Sequence, residues 1–289
     1  MARTNTTLVP TAGLEVASFG ILSPATTVYN HTDSFWTSGI TYENQDAGLV
    51  IANGSIYGAS PIETVTVVDN SASKEHFKTY YPFDVKASVK VSTFGTNPAE
   101  IEASAKNALD IVMQKAIEIE FWNGDIAKLL DSDNDNRYLA SAQAVDVTPT
   151  AGTGVKVRYG LGLLEEALGN ASLGSKGVIH APRVVGSVLN LEKDGNKLVA
   201  PLGNSVVSGV GYSKKGPNGV AAGAGKAWMY ATGPVSVRIG PTIVTPEKLN
   251  QAINTQINEI QYFVDGSAAV TWSTTDLYAV LVDLTLDYA

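Results

Sequence analysis

Few residues of this chain have the type and spacing that catalysis or metal binding requires. None of its 289 residues is cysteine, which excludes disulfides, thiolate metal clusters and cysteine nucleophiles. The three histidines, His31, His76 and His180, are far apart in the sequence, and none has a partner at the spacing of a metal-ligand pair. His180 ends an apolar run, which favours a hydrogen-bonded residue of the core. The Gly-X-Ser-X-Gly motif of serine hydrolases does not occur.

One glycine-rich segment is similar to part of a phosphate-binding loop. It reads Gly223-Ala224-Gly225-Lys226, but the Gly-x4-Gly-Lys spacing fails, and Ala227 stands where the magnesium-binding hydroxyl is required. The segment lies between two predicted strands and not before a helix, which is typical of a surface connection. We therefore assign no nucleotide site to it.

A second segment begins like the calcium loop of an EF-hand. In Asp131-Ser132-Asp133-Asn134-Asp135 the carboxylates alternate, and such an arrangement can surround a cation with oxygen atoms. Asn136 replaces the glycine of that loop, and Ala142 stands where a bidentate glutamate is needed. The pattern favours a solvated loop at the end of a helix.

Glutamates on predicted helices are the remaining candidates for acid–base chemistry. Glu118 and Glu120 lie on one predicted helix, and Glu165 and Glu166 lie on another. Acid–base catalysis depends on the geometry of such pairs, which the sequence alone does not give. We expect these side chains on solvated helix faces or in ion pairs between subunits. The sequence predicts no catalytic residue, no cofactor-binding residue and no metal ligand, and we expect no enzyme activity.

Charge and hydropathy limit the partners of the chain. Twenty lysine and arginine residues against 28 aspartate and glutamate residues give a formal net charge of -8. This charge disfavours an overall attraction to nucleic acid or to an anionic membrane, so any contact with DNA is expected to be local or weak. No apolar run approaches the roughly 18 residues of a membrane helix, and we expect a protein made and kept in a cytoplasm.

The first half of the chain combines an arm, a β-rich region and one long helix. Residues 1–32 show no period and are punctuated by proline and glycine, which predicts an extended arm that needs a partner. Residues 36–94 are β-like, and between their strands lies a long segment that we place in a projecting hairpin or loop. Asn97-Pro98-Ala99-Glu100 is a capping box, and Asn123-Gly124 is a stop signal. Together they predict a helix of roughly 40 Å that spans the molecule.

The second half is predicted to be an α+β module after a boundary at residues 146–154. Alternating short elements separated by glycine turns support this prediction. Asp265-Gly266 is a hairpin signal between two strands near the end of the chain. The predicted helices are 161–168 and 182–191, and the predicted strands are 177–180, 205–212, 227–231, 235–239, 259–264, 268–272 and 277–286.

The order of several segments resembles that of a known family. FGILSPATTV is followed by SFWTSGITYE, KEHFKTYYPFDVKASVKVSTFG, a helix that ends in AIEIEFWNGD, GVIHAPRVVGSVL, LVAPLGNSVVSGVGY, WMYATGPVSVRIG and AVLVDL. Nearly the whole chain resembles the major capsid proteins of tailed double-stranded-DNA phages, especially those of phages that infect actinobacteria. EFWNGD, PLGNSVVSGVGY and YATGPV are the most specific segments.

The resemblance implies the phage major capsid fold, which is α+β and is shared with encapsulins. Such subunits form the hexamers and pentamers of an icosahedral head around packaged double-stranded DNA. The implied location is the capsid of a virion assembled in the cytoplasm of a bacterial host. The implied regions are an N-arm (1–32), an extended E-loop region (33–92), a P-domain with a spine helix (93–150), an axial A-domain (151–245) and P-domain return strands (246–289).

The resemblance also implies partners beyond other copies of the subunit. They are a scaffolding protein, a portal, in some members a decoration protein, and packaged DNA through weak nonspecific contact; no membrane is expected. Because the N-arm begins almost at Met1, we expect the scaffold to be a separate protein. Lys74 and Lys78 lie in the loop that some members crosslink, but no acceptor motif matches, so crosslinking is not expected. The loop Lys214–Lys226 is expected at the capsomer axis, with local flexibility, and an ordinary surface loop is the alternative.

Two other interpretations stay open from the sequence. The same fold would suit an encapsulin-type nanocompartment, which is loaded with protein cargo instead of DNA. Strands rich in glycine, threonine and asparagine would also suit a carbohydrate-binding or adhesive protein, although a secretion signal is missing.

Overall fold

Two large β-sheets and one long helix form the framework of the computed structural model. It describes residues 15–32, 35–43, 50–51, 66–67, 77–92, 98–171, 176–247, 252–254 and 259–287. The helices are α1 Pro98–Asn123, α2 Ala127–Leu130, α3 Val157–Ala171 and α4 Arg183–Leu189. The strands are β1 Thr27–Asn30, β2 Ile40–Glu43, β3 Val50–Ile51, β4 Thr66–Val67, β5 Phe77–Tyr80, β6 Phe83–Ser92, β7 Val145–Asp146, β8 Val178–Pro182, β9 Glu192–Asp194, β10 Lys197–Val199, β11 Ser205–Gly209, β12 Lys226–Thr232, β13 Val235–Ile239, β14 Ile243–Thr245, β15 Ile253–Asn254, β16 Glu259–Trp272 and β17 Leu277–Asp283.

The long helix α1 confirms the predicted spine. It has 26 residues and ends at Asn123; the φ of 67° at the following Gly124 belongs to the left-handed region that glycine adopts without strain. Its buried side chains recur at helical spacing, as in Ala105, Leu109 and Met113. The predicted capping residue Asn97 lies outside the described residues. None of the described helices is long and apolar enough to cross a membrane.

The first sheet packs against α1 through alternating residues of β6 and β16. These two strands pair antiparallel from Phe83 opposite Ala268 to Ser92 opposite Glu259. The predicted alternation of β6 is confirmed, because Val85 is buried while its neighbours on either side are exposed. β13, β14 and β15 also pair with β16, and β1 adds a parallel strand beside β13.

The hairpin predicted at Asp265-Gly266 is wrong. β16 runs through these residues without interruption for 14 residues. A Cβ atom on Gly266 would lie 2.7 Å from Cε of Met113 and 3.3 Å from Cδ2 of Leu109. The glycine is therefore required because α1 crosses the strand closely at this point, and not because the chain turns.

The second sheet separates two hydrophobic cores. Its strand order is β7-β17-β12-β8-β11-β10-β9. Alternate residues of β17 face opposite ways: Leu277 and Ala279 join the core around α1, whereas Val280 and Val282 join the core under α3 and α4. β17, which the implied regions include in the P-domain return strands 246–289, pairs along its whole length with β12 in this second sheet.

The other predicted elements of the second half are present with shifted ends. α3 begins at Val157, four residues before the predicted start, and α4 follows Pro182 as expected from a proline at a helix start. β11 ends at Gly209, short of the predicted residue 212. Helix and strand types were therefore predicted correctly where the apolar period was strong.

Two short antiparallel pairs lie in the region predicted as a projecting hairpin. Ile40–Glu43 pairs with Phe77–Tyr80, and Val50–Ile51 pairs with Thr66–Val67 inside it. This nesting is the pairing that a hairpin produces. The remainder of the predicted loop, including Lys74 and His76, lies outside the described residues.

Candidate functional site

A buried carboxylate on α1 joins three separate parts of the chain. Glu118 has no exposed surface, and its Oε1 accepts a hydrogen bond from the backbone N–H of Ile21 at 3.0 Å. Its Oε2 accepts another from the N–H of Gly211, after β11, at 2.7 Å. Burial raises the pKa of Glu118, and the two N–H donors act against that rise. The expectation that Glu118 lies on a solvated face or between subunits is therefore wrong.

Residues 17–21 of the predicted arm are fixed to the body of their own chain. Gln114 donates to the carbonyl oxygen of Ala17 at 3.1 Å, and Arg183 donates to that of Ser18 at 2.7 Å. The N–H of Ser208 donates to the carbonyl oxygen of Phe19 at 2.7 Å. Ile21 is completely buried. This part of the arm is held by its own chain, because polar groups of α1, α4 and β11 satisfy its backbone.

A second buried carboxylate holds the end of α1. Glu120 accepts hydrogen bonds from the N–H groups of Ile126 at 2.6 Å and Ala127 at 3.2 Å. It also accepts one from Nδ2 of Asn136 at 3.0 Å. Asn136 in turn bonds both the N–H and the carbonyl oxygen of Tyr81, at 2.7 and 2.8 Å. Here too the expected solvated position is wrong: Glu120 connects α1, α2 and the segment between β5 and β6.

The segment with the calcium-like pattern has a structural explanation. Asp131 accepts a hydrogen bond from the N–H of Asp133 at 3.0 Å, and Lys128 pairs with Asp135 at 3.3 Å. All three aspartates are exposed. Asn136, which replaces the glycine of a calcium loop, is the buried bridge described above. Among the described residues, no three His, Asp or Glu side chains are grouped as metal ligands.

His180 lies in an aromatic cluster between α1 and the second sheet. Its ring is 4.9 Å from that of Phe121, and its exposed fraction is 0%. The hydroxyl of Thr232 donates to the carbonyl oxygen of Gly233, so Nε2 of His180 donates to that hydroxyl at 3.0 Å and Nδ1 accepts from Tyr212 at 3.0 Å. Burial lowers the pKa of His180 to about 3. The prediction of a hydrogen-bonded core histidine is confirmed.

The arrangement of Glu118, Tyr212 and His180 contains acid–base groups but works as a structural junction. Burial and the charge of Glu118 both raise the pKa of Tyr212 well above its usual value. The imidazole has both nitrogens in hydrogen bonds and no exposed surface, so substrate does not reach it. What these groups do is fix α1, the arm and the second sheet in one relative position.

A third buried carboxylate serves the second core in the same way. Oε1 of Glu165 accepts from the N–H of Leu202 at 3.1 Å and from Nδ2 of Asn204 at 3.4 Å. Asn204 also accepts from the N–H of Gly177 at 3.0 Å. The expectation that Glu165 lies on a solvated face or in an ion pair between subunits is therefore wrong, because its exposed fraction is 6%. Glu166 is exposed, as expected.

The first part of the loop Lys214–Lys226 is pinned to the end of α1. The carbonyl oxygen of Lys215 accepts hydrogen bonds from Trp122 at 2.9 Å and from Tyr230 at 3.2 Å. Lys226, the lysine of the segment that is similar to a phosphate-binding loop, donates a hydrogen bond to the carbonyl oxygen of Gly152. The local flexibility predicted for Lys214–Lys226 stays a prediction.

Sequence reasoning missed the three buried glutamates although one signal was present. In AIEIEFW, Glu118 and Glu120 alternate with large apolar residues on a helix. Alternation on a helix distributes residues around most of its circumference, so a helix packed on two sides must bury some of them.

Lys78, the one crosslinking candidate among the described residues, lies half-buried in β5.

Comparison with known proteins identifies the fold. No protein-family model and no curated sequence matches the chain. The capsid of Ralstonia phage GP4 is similar at a TM-score of 0.55 and 9% identity, over 97% of this chain and 96% of that chain. A structure from Microbacterium phage Oxtober96 gives 0.54 and 11%, over 97% and 96%. One from Mycobacterium phage Cain gives 0.53 and 11%, over 93% and 91%. The chain has the α+β fold of phage capsid proteins, as the resemblance implied.

Proposed function

We propose that this chain is a major capsid protein that self-assembles into the hexamers and pentamers of an icosahedral phage head enclosing double-stranded DNA. The observation that carries the proposal is the end-to-end likeness to the GP4 capsid chain, over 97% of this chain and 96% of that one.

The buried carboxylates of Glu118 and Glu120 support the same proposal. A shell subunit must keep one shape while it is in contact with several neighbours. A rotation of a few degrees between its parts would change the curvature of the lattice. Glu118 and Glu120 accept five hydrogen bonds from four other segments of the chain. Removing either carboxylate would leave buried N–H groups without acceptors, so these contacts resist relative motion of the helix, arm and sheets.

We further propose the regional roles that the resemblance implied. Residues 151–245 form the axial A-domain, residues 93–150 form the P-domain with its spine helix α1, and residues 246–289 are the return strands of the P-domain. Residues 1–32 and 33–92 are the N-arm and E-loop region that reach neighbouring subunits. A separate scaffolding protein, a portal and, in some capsids, a decoration protein are the other partners. Assembly takes place in the cytoplasm of the bacterial host, and the mature location is the virion capsid.

The net charge of -8 fits a wall that encloses DNA without adsorbing it. Contact with the packaged genome is then weak and nonspecific. The protein has no enzymatic role in this proposal, and its function is mechanical containment.

Expression of the chain alone and together with a candidate scaffold tests the proposal. Electron microscopy and light-scattering mass should show capsomer rings or closed shells of uniform size. A monodisperse monomer under both conditions would contradict the proposal. Shells that contain protein cargo and exclude DNA in the native host would instead support the encapsulin alternative.

A further inference from the structure

A cleft beside α4 carries positive charge on an apolar floor. It has a volume of about 460 Å³ and lies between α4, β10 and the arm residue Phe19. Arg183 and Lys193 line it, and Lys193 lies over the ring of Phe19 at 5.5 Å from the centroid. Leu191 and Leu198 add apolar surface, and no carboxylate belongs to the lining. We call this the basic cleft. In a chain of net charge -8, such a cleft favours an anionic occupant with an apolar portion.

The chain itself presents a segment of matching chemistry. At the end of α2, Leu129 and Leu130 expose 82% and 58% of their surface. The exposed carboxylates of Asp131 and Asp133 follow directly. We call residues 129–133 the acidic knob. Two neighbouring leucines at such exposure form an apolar contact surface without cover from the described residues, and the adjacent carboxylates give it a negative rim.

The cleft and the helix that carries the knob pack against cores on opposite sides of the second sheet. The cleft residues Leu198 and Ser208 share a face of the second sheet with Val206, which packs in the core under α3 and α4. The knob extends from α2, whose Ala127 packs in the core around α1 on the other side. A contact between surfaces on opposite sides is heterologous, and repetition of such a contact builds a ring when the rotation closes.

We propose that the acidic knob of one subunit docks into the basic cleft of a second copy. The leucines pack on Phe19, Leu191 and Leu198, while Asp131 and Asp133 pair with Arg183 and Lys193. This inference rests on the proposed capsid function and names one contact of its capsomer.

A neighbouring pocket explains why the knob would select this cleft. That pocket, of about 500 Å³, shares Asn190 and Leu191 with the basic cleft but is lined by Glu165 and Glu192. Its single cation is Arg158. The exposed carboxylate of Glu192 would repel the knob, so the adjacent pocket opposes a misplaced contact.

Site-directed crosslinking tests the contact directly, because the chain contains no cysteine of its own. The variant S132C/S187C places one thiol on the knob and one in the cleft, and it keeps both leucines of the knob. A short bis-maleimide reagent, added to assembled particles, should produce a ladder of multimers up to a full capsomer in denaturing gels. The matched control S132C/E166C places the second thiol at an exposed position of α3 outside the cleft and should give monomer bands. An absent ladder, or an equal ladder in the control, overturns the inference.

Charge reversal provides the second measurement. K193E and D133K should each lower the yield of assembled particles about fivefold, the effect of losing one exposed ion pair, and the double variant should recover at least half of the wild-type yield. A double variant that assembles no better than K193E overturns the inference. Wild-type shells without the ladder would refute only the docking contact, whereas a wild-type chain that forms no capsomer or shell would refute the proposed function and the contact together.

Discussion

The buried imidazole of His180 makes subunit stability depend on pH in a defined direction. Its pKa is about 3 in the folded chain, against about 6.5 in an unfolded one. Between these values the unfolded chain binds a proton that the folded chain does not, so stability falls as the pH falls. Over the whole interval between the two pKa values, this proton changes the free energy of unfolding by roughly 5 kcal/mol. Near pH 5 the free energy of unfolding changes by about 1.4 kcal/mol per pH unit.

The perturbation that isolates this effect is His180→Gln. Glutamine offers both a donor and an acceptor for Thr232 and Tyr212 but does not titrate. Urea unfolding of the unassembled subunit, followed by tryptophan fluorescence from pH 7.5 to 4.5, gives the free energy of unfolding for both proteins. The wild type should lose about 1.4 kcal/mol per pH unit more than the variant between pH 6 and 4.5.

A matched variant separates titration from packing. Thr232→Val removes the hydroxyl that accepts from Nε2 but keeps the imidazole. It should lower stability by about 1 kcal/mol at every pH and leave the wild-type slope unchanged. Parallel pH profiles for the wild type and His180→Gln would refute the reasoning, because they would mean that the folded chain does not hold the imidazole neutral.

Three further predictions concern the junction, the helix crossing and the aspartate loop. Glu118→Ala leaves two buried N–H groups without acceptors and should cost about 3 kcal/mol, with faster amide exchange in residues 17–21; unchanged exchange there would contradict the junction. Gly266→Val should cost about 2 kcal/mol in urea unfolding because its side chain meets Met113. The double variant with Met113→Ala should recover part of that loss, and no recovery would show that the contact is elsewhere. Addition of EDTA should leave the melting temperature unchanged, whereas a fall would indicate a bound cation at residues 131–135.

Local patterns predicted most of the helices and strands. The capping box and the Asn123-Gly124 stop predict α1 because both signals act through backbone groups of the same few residues. The alternation in β6 predicts one buried and one exposed face for a similar reason, since successive side chains of a strand point to opposite sides. Such signals are readable because their cause lies within one segment.

The predictions that were wrong share one physical cause, which is contact between segments that are distant in the chain. Gly266 satisfies the pattern of a turn, yet its small size serves the crossing of α1. Glu118 satisfies the pattern of a solvated helix residue. Its carboxylate oxygens, however, accept hydrogen bonds from backbone N–H groups that lie 97 and 93 positions away in the sequence. A residue type indicates which interactions are available, but the partner is decided by which segments pack together.

What the sequence determined by itself was the type of most helices and strands, the acidity and the absence of thiol chemistry. The order of its segments also indicated the fold that the comparisons identify. Only the tertiary structure decided that β17 divides two cores and that Glu118, Glu120 and Glu165 are buried acceptors. It also showed that the basic cleft and the helix that carries the acidic knob pack against different cores. Periodicity and composition belong to single segments, whereas burial and complementarity are properties of surfaces that exist only after the segments pack.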